Sequence, residues 1–143
     1  MSEAPRPRSN PALASTFATA AFLAGLVALW GITSLVLDRD VVDLEDAGPL
    51  VGPAMAATAC AVVFLASLRA RVTPPALLAL WSGALAYLAS IVVGGIGYSL
   101  VKDSSREFVS TVVHFGIGPF MVGAAILAAV VVGATAWLIR PRE

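Results

Sequence analysis

The chain has 143 residues, of which nine are basic and nine acidic, 59% are hydrophobic and only 13% charged, with a mean hydropathy of +0.90. A soluble domain carries about 25% charged residues, so a chain this poor in charge cannot shield its apolar surface from water and takes the bilayer as its solvent. The neutral balance argues against nucleic acid as a partner, because phosphate binding needs a concentrated basic surface. One cysteine, Cys60, allows no intramolecular disulfide, and one histidine, His114, allows no haem held by two histidines of the chain.

Residues 1–12 hold three prolines and two arginines without apolar periodicity and read as a disordered tail. Leu13 to Leu37 then runs 25 residues without a charge. A spanning helix needs about 20, and the apolar core of a cleaved signal peptide is only about 7–15, so this is an uncleaved first span. The stretch from Asp38 to Asp46 is the most acidic in the protein, and Pro49 closes it at a favoured helix-start position. A second span follows over 49–68, with Pro53 as an alternative first-turn proline. Arg69, Arg71, Pro74 and Pro75 make a basic turn before a third span over 76–101.

Lys102 to Glu107 forms a polar loop in which Ser104 and Glu107 have capping-box spacing. The last apolar segment, 108–139, is too long for one crossing and is interrupted by Gly116-Ile117-Gly118-Pro119. Proline removes a backbone donor and clashes with the preceding turn, so the helix kinks or restarts there. Residues 119–139 alone reach about 31 Å at 1.5 Å per residue, matching a hydrocarbon core of about 30 Å. The favoured reading is a short interfacial helix over 105–117 followed by a fresh span from Pro119, with the last span placed at about 115–139. Gly116 and Gly118, tolerant of positive φ, would ease the change of direction. On that short helix Phe108, Val112 and Phe115 share one face, and Glu107, Ser110, Thr111 and His114 the other. Residues 140–143 form a second tail. The expected fold is therefore an all-α integral membrane bundle of four transmembrane helices.

Orientation follows from the basic residues. Arg6, Arg8, Arg69, Arg71, Arg140 and Arg142 fall on one side, and Arg39, Lys102 and Arg106 on the other. The positive-inside rule puts both termini in the cytoplasm of a bacterial inner membrane, and Trp30, Trp81 and Trp137 lie where an aromatic belt would place them. Helices in lipid associate through small residues and a few hydrogen bonds. Four stripes with four-residue spacing are candidates: Ala20, Ala24 and Ala28; Gly52, Ala56 and Cys60; Ser82, Ala86, Ser90 and Gly94; and Ala125, Ala129 and Gly133. The third is the strongest. Such faces could also receive a membrane-protein partner or a second copy.

All four apolar cores lack Asp, Glu, Lys and Arg, which counts against a proton-coupled pump, since intramembrane charge marks proton and ion pathways. His114 could relay protons or sense pH, with Glu107 on its helical face and Tyr98 closing the neighbouring span. A polar residue at the membrane boundary is the simpler reading. Asp38, Asp40, Asp43, Glu45 and Asp46 supply oxygen ligands for a cation but lack the EF-hand pattern, and a hydrated acidic loop is the simpler reading. No catalytic, cofactor-binding or metal-ligating set stands out, and no phosphate-cradling loop is present.

The junction Asp46-Ala47-Gly48-Pro49-Leu50-Val51-Gly52-Pro53-Ala54-Met55, following an acidic loop within a four-span layout, resembles the small uncharacterised membrane proteins of actinobacteria, which are grouped as domains of unknown function. The resemblance implies a plasma-membrane location and transfers no catalytic residue. The expected role is a non-catalytic accessory or interaction protein. The alternative is a small permease or channel subunit lined by Ser82, Ser90, Tyr87 and threonines of the spans.

Overall fold

The computed structural model describes residues 10–38, 49–102 and 107–140. These residues form five helices: α1 (Pro11–Leu37), α2 (Val51–Leu68), α3 (Pro75–Lys102), α4 (Glu107–Ile117) and α5 (Pro119–Ile139). Four of them, all but α4, are long and apolar enough to cross a membrane. The described part of the chain is all-α, as its composition requires.

Prolines and their neighbours set the helix starts. α1 begins two residues before the expected Leu13, because Asn10 accepts a hydrogen bond from the amide of Ala12 (3.0 Å) and Pro11 occupies the first turn. Pro11 and Ala12 therefore belong to the helix rather than to the tail. α2 starts at Val51, so Pro53 lies in the first turn, where its missing N–H costs nothing. The other candidate start, Pro49, lies two residues outside the helix. α1 ends on Asp38, whose φ of 49° is left-handed and whose amide bonds to Ser34 O. The rest of the acidic loop, and Ser104 of the expected capping box, lie outside the described residues.

Three of the spans turn a buried row of four-residue spacing toward a common core. In α2 it is Val51, Met55, Ala59, Val63 and Ser67; in α5 it is Phe120, Ala124, Ala128, Val132 and Ala136. In α3 the row runs Leu78, Ser82, Ala86, Ser90, Gly94 and Tyr98, so the third stripe is a packing face as expected, one residue longer at each end. α1 contributes Ala18, Phe22 and Leu26, while Ala20, Ala24 and Ala28 point outward. The first stripe is thus not a packing face within the chain, because the bulkier Phe22 and Leu26 fill the core from the opposite side of the helix.

α3 and α5 make the most extensive helix pair. They run antiparallel with their backbones unusually close: a Cβ on Gly83 would lie 2.9 Å from the Ala125 carbonyl oxygen and 3.2 Å from Ala129 Cβ. Further along, a Cβ on Gly133 would fall 3.1 Å from Ala79 Cβ. The fourth stripe, Ala125, Ala129 and Gly133, therefore packs on α3. α1 joins the other side of α5, where Gly123 meets Leu29 and Gly25 meets Leu127. These contacts make α1 and α5 antiparallel too, so Pro11, the Arg69–Arg71 turn and Arg140 share one end of the bundle.

The exterior is apolar all round, with Leu35 85%, Leu80 70% and Val130 60% exposed. A water-soluble monomer rarely exposes contiguous apolar patches of this kind, whereas lipid tails solvate them without cost. Trp81 and Trp137 are exposed on this surface, while Trp30 is half-buried against the core. The belt reading therefore fits Trp81 and Trp137 but not Trp30.

The close approach at Gly83 makes a specific demand. Gly83→Leu should lower stability in detergent by about 1–3 kcal/mol, the usual cost of overpacking. Gly31→Leu, at a site where a Cβ meets nothing within 4 Å, should leave the melting temperature unchanged. Equal effects in thermal denaturation would contradict the packing.

Candidate functional site

Two interhelical hydrogen bonds flank the break between α4 and α5. Gly118 is extended (φ −69°, ψ 137°) and Pro119 takes the first helical position, so α5 is a fresh helix and not the continuation of a kinked one. Neither Gly118, at φ −69°, nor Gly116 has a positive φ, so the turn does not draw on the left-handed freedom of glycine. What Gly116 supplies is proximity, since a Cβ there would lie 3.4 Å from the Tyr87 hydroxyl.

α4 is the expected short helix, but it does not lie across the bundle end. Phe108 and Val112 rest on Gly95, and Gly116 meets Tyr87 and Ile91. Eight residues of α4 thus match eight of α3 in reverse order, so the two helices run side by side. The reason is steric: Gly95 leaves a gap, which the Phe108 and Val112 side chains enter to within 2.9 Å of where its Cβ would be. Thr111, expected on the polar outer face, is buried at 2% exposure on the same side as Phe108 and Val112. The outward face instead carries Val109, Val113 and Ile117 beside Ser110 and His114, which suits contact with lipid.

Broken backbone at membrane depth survives only where its polar groups find partners within the protein. Here Tyr87 donates its hydroxyl to Gly116 O at 2.6 Å, satisfying a carbonyl in the last turn of α4. Trp30 donates its indole N–H to Phe120 O at 3.2 Å, tying α1 to the first turn of α5. Trp30 lies seven residues before Leu37, so this bond sits about 10 Å inward from the end of α1. Ser90 donates to Met55 O at 3.3 Å and links α3 to α2. Interhelical bonds of this kind contribute about 0.6–2 kcal/mol each in a bilayer.

The hydroxyls singled out as a channel lining are therefore engaged. Ser82 bonds to Ala79 O within its own helix (2.9 Å), while Tyr87 and Ser90 clamp neighbouring helices. They lie along α3 without converging on one chamber: Ser82 lines a groove between α2 and α3 that neither Tyr87 nor Ser90 reaches. His114 is exposed on α4 and Tyr98 is buried at the far end of the α3 row. Among the described residues no group of three His, Cys, Asp or Glu is placed to hold a metal ion.

Sequence reasoning passed over three structural residues. Trp30 and Tyr87 looked like belt and lining residues, yet both donate to backbone carbonyls of other helices, Tyr87 in the last turn of α4 and Trp30 in the first turn of α5. Ser67 is buried at 2% exposure with no partner for its hydroxyl among the described residues. Its place four residues after Val63 in the buried row of α2 was the available signal, hidden because every position of that helix is small or apolar.

Neither the curated proteins nor the solved structures contain a match to this chain. A family profile described as "Family of unknown function (DUF6121)" matches residues 4–143. With that match running over nearly its whole length, the chain belongs to the DUF6121 family.

Proposed function

We propose that the protein is a non-catalytic accessory or interaction protein of the bacterial plasma membrane, with both termini in the cytoplasm. The observation that carries this reading is the use made of the intramembrane polar groups. Tyr87, Ser90 and Trp30 donate to backbone carbonyls of other helices and so serve the architecture. The spans hold no Asp, Glu or Arg, and their single Lys, Lys102, ends α3. A transport path needs groups that can bind and release a passing solute, and the candidate lining hydroxyls of Ser82, Tyr87 and Ser90 are already bonded to backbone carbonyls. What remains available for function is the apolar exterior, above all α1, of whose most apolar window only 11% is buried against 33% for α3. That leaves α1 the helix best placed to meet a second membrane protein.

One feature favours the permease alternative: discontinuous helices recur at the binding sites of transporters. The break at Gly118 is such a discontinuity. Two experiments separate the readings and test the orientation. Purified protein reconstituted in vesicles should leave proton and potassium flux at the level of protein-free vesicles, and co-purification from native membranes should yield a stoichiometric protein partner. Flux above background without a partner would favour the permease.

The orientation rests on basic residues clustering at the end shared by Pro11, the Arg69–Arg71 turn and Arg140. A reporter active only in the cytoplasm should work when fused after Glu143 and be silent when inserted between Asp43 and Leu44. The reverse pattern would invert the topology.

A further inference from the structure

A groove of about 730 Å³ runs between the C-terminal part of α2 and the N-terminal part of α3. Its walls are Leu65, Leu77, Trp81 and Leu85, all at least 46% exposed toward the outside of the bundle, and its mouth is formed by Arg69 and Thr73. We infer that this groove is a binding site for an anionic phospholipid, with one acyl chain along the apolar walls and the phosphate on Arg69.

The dimensions fit one leaflet. The walls extend eight residues along α3, from Leu77 to Leu85, which is about 12 Å at 1.5 Å per residue. Half of a hydrocarbon core of about 30 Å is about 15 Å. The groove therefore begins at the basic end of the bundle and finishes near the bilayer midplane, as an acyl chain does. Large, adaptable Leu and Trp walls suit a flexible chain, whereas helix–helix seams in lipid are built from small residues, as at Gly83 and Ala125.

Charge decides the headgroup. Arg69 is exposed at the turn, and Asp38, the carboxylate whose side chain is described, belongs to the opposite end. A guanidinium beside an acyl-chain groove offers a phosphate a charge-assisted pair, and basic pockets between helices on the cytoplasmic side select anionic lipids. A zwitterionic lipid brings its own cation to the same place and gains less. The inference does not depend on whether the protein is an accessory factor or a permease.

The test uses the full chain, purified in detergent and titrated separately with phosphatidylglycerol and phosphatidylcholine, with bound lipid counted by native mass spectrometry. One phosphatidylglycerol per chain should be retained at concentrations where phosphatidylcholine is not. Arg69→Gln should weaken that binding about ten-fold, the effect of losing one charge-assisted contact. Arg69→Lys should keep most of the affinity, and Arg140→Gln, at the same end but outside the groove, should leave it unchanged. Equal retention of the two lipids, or equal loss from Arg140→Gln and Arg69→Gln, would overturn the proposal. So would a lipid-independent dimer that excludes phosphatidylglycerol, which would assign the groove to a second copy.

Discussion

The close approach of α3 and α5 is the constraint on which the other helices depend. In water an apolar helix is driven inward by the hydrophobic effect, but lipid tails remove that drive, and association rests on packing contacts and hydrogen bonds. Individual contacts are weak, so attraction accumulates only where two backbones come close along several turns. Gly83 against Ala125 and Ala129, and Gly133 against Ala79, provide that closeness at two successive levels. With the two helices locked, α1 packs on the free side of α5 and α2 on the adjacent side of α3.

The break in the last segment follows from the same seam. α5 must run straight along α3 for its small residues to stay in register. Pro119 and Gly118 start it afresh, and α4 is left to pack separately on Gly95. The cost is a carbonyl in the last turn of α4 left without a helical partner, which Tyr87 offsets at Gly116 O, while Trp30 ties α1 to the first turn of α5. The polar side chains of the spans are thus a consequence of the architecture, and this is why they carry so little functional information. The chemistry the chain can still offer is at its surface: an apolar exterior, a groove with a cation at its mouth, and loops of opposite charge at the two ends.

Much of the fold was legible in the sequence because the bilayer imposes one strong rule, a charge-free run long enough to cross it. That rule located four spans, with ends within two residues of the structure except at the start of the last, placed at about 115 where α5 begins at Pro119. Helix orientation about the long axis was harder. α3 betrayed its inner face because Ser82 and Ser90 recur on one line of the helix, whereas in α1 the buried Ser15 and the exposed Thr16 both bond to carbonyls of their own helix, so the hydroxyls gave no sign that Ala20, Ala24 and Ala28 point outward. The direction of α4 was also hidden, since a gap at Gly95 twelve residues upstream decides it. Pro11 and Asn10 were readable as a helix start and were passed over in favour of a tail.

The claim that the α3–α5 seam organises the molecule can be tested by proximity. In a Cys60→Ser background, Ala79→Cys and Gly133→Cys together place two sulfurs on Cβ atoms about as close as a disulfide requires, roughly 3.5–4.5 Å after slight relaxation. Mild oxidation in native membranes should join the two positions rapidly and nearly completely. A control pair, Ala24→Cys with Gly133→Cys, should remain unlinked because Ala24 faces away from the core. Failure of the first pair to link, with both thiols reactive toward a small permeant reagent, would contradict the account.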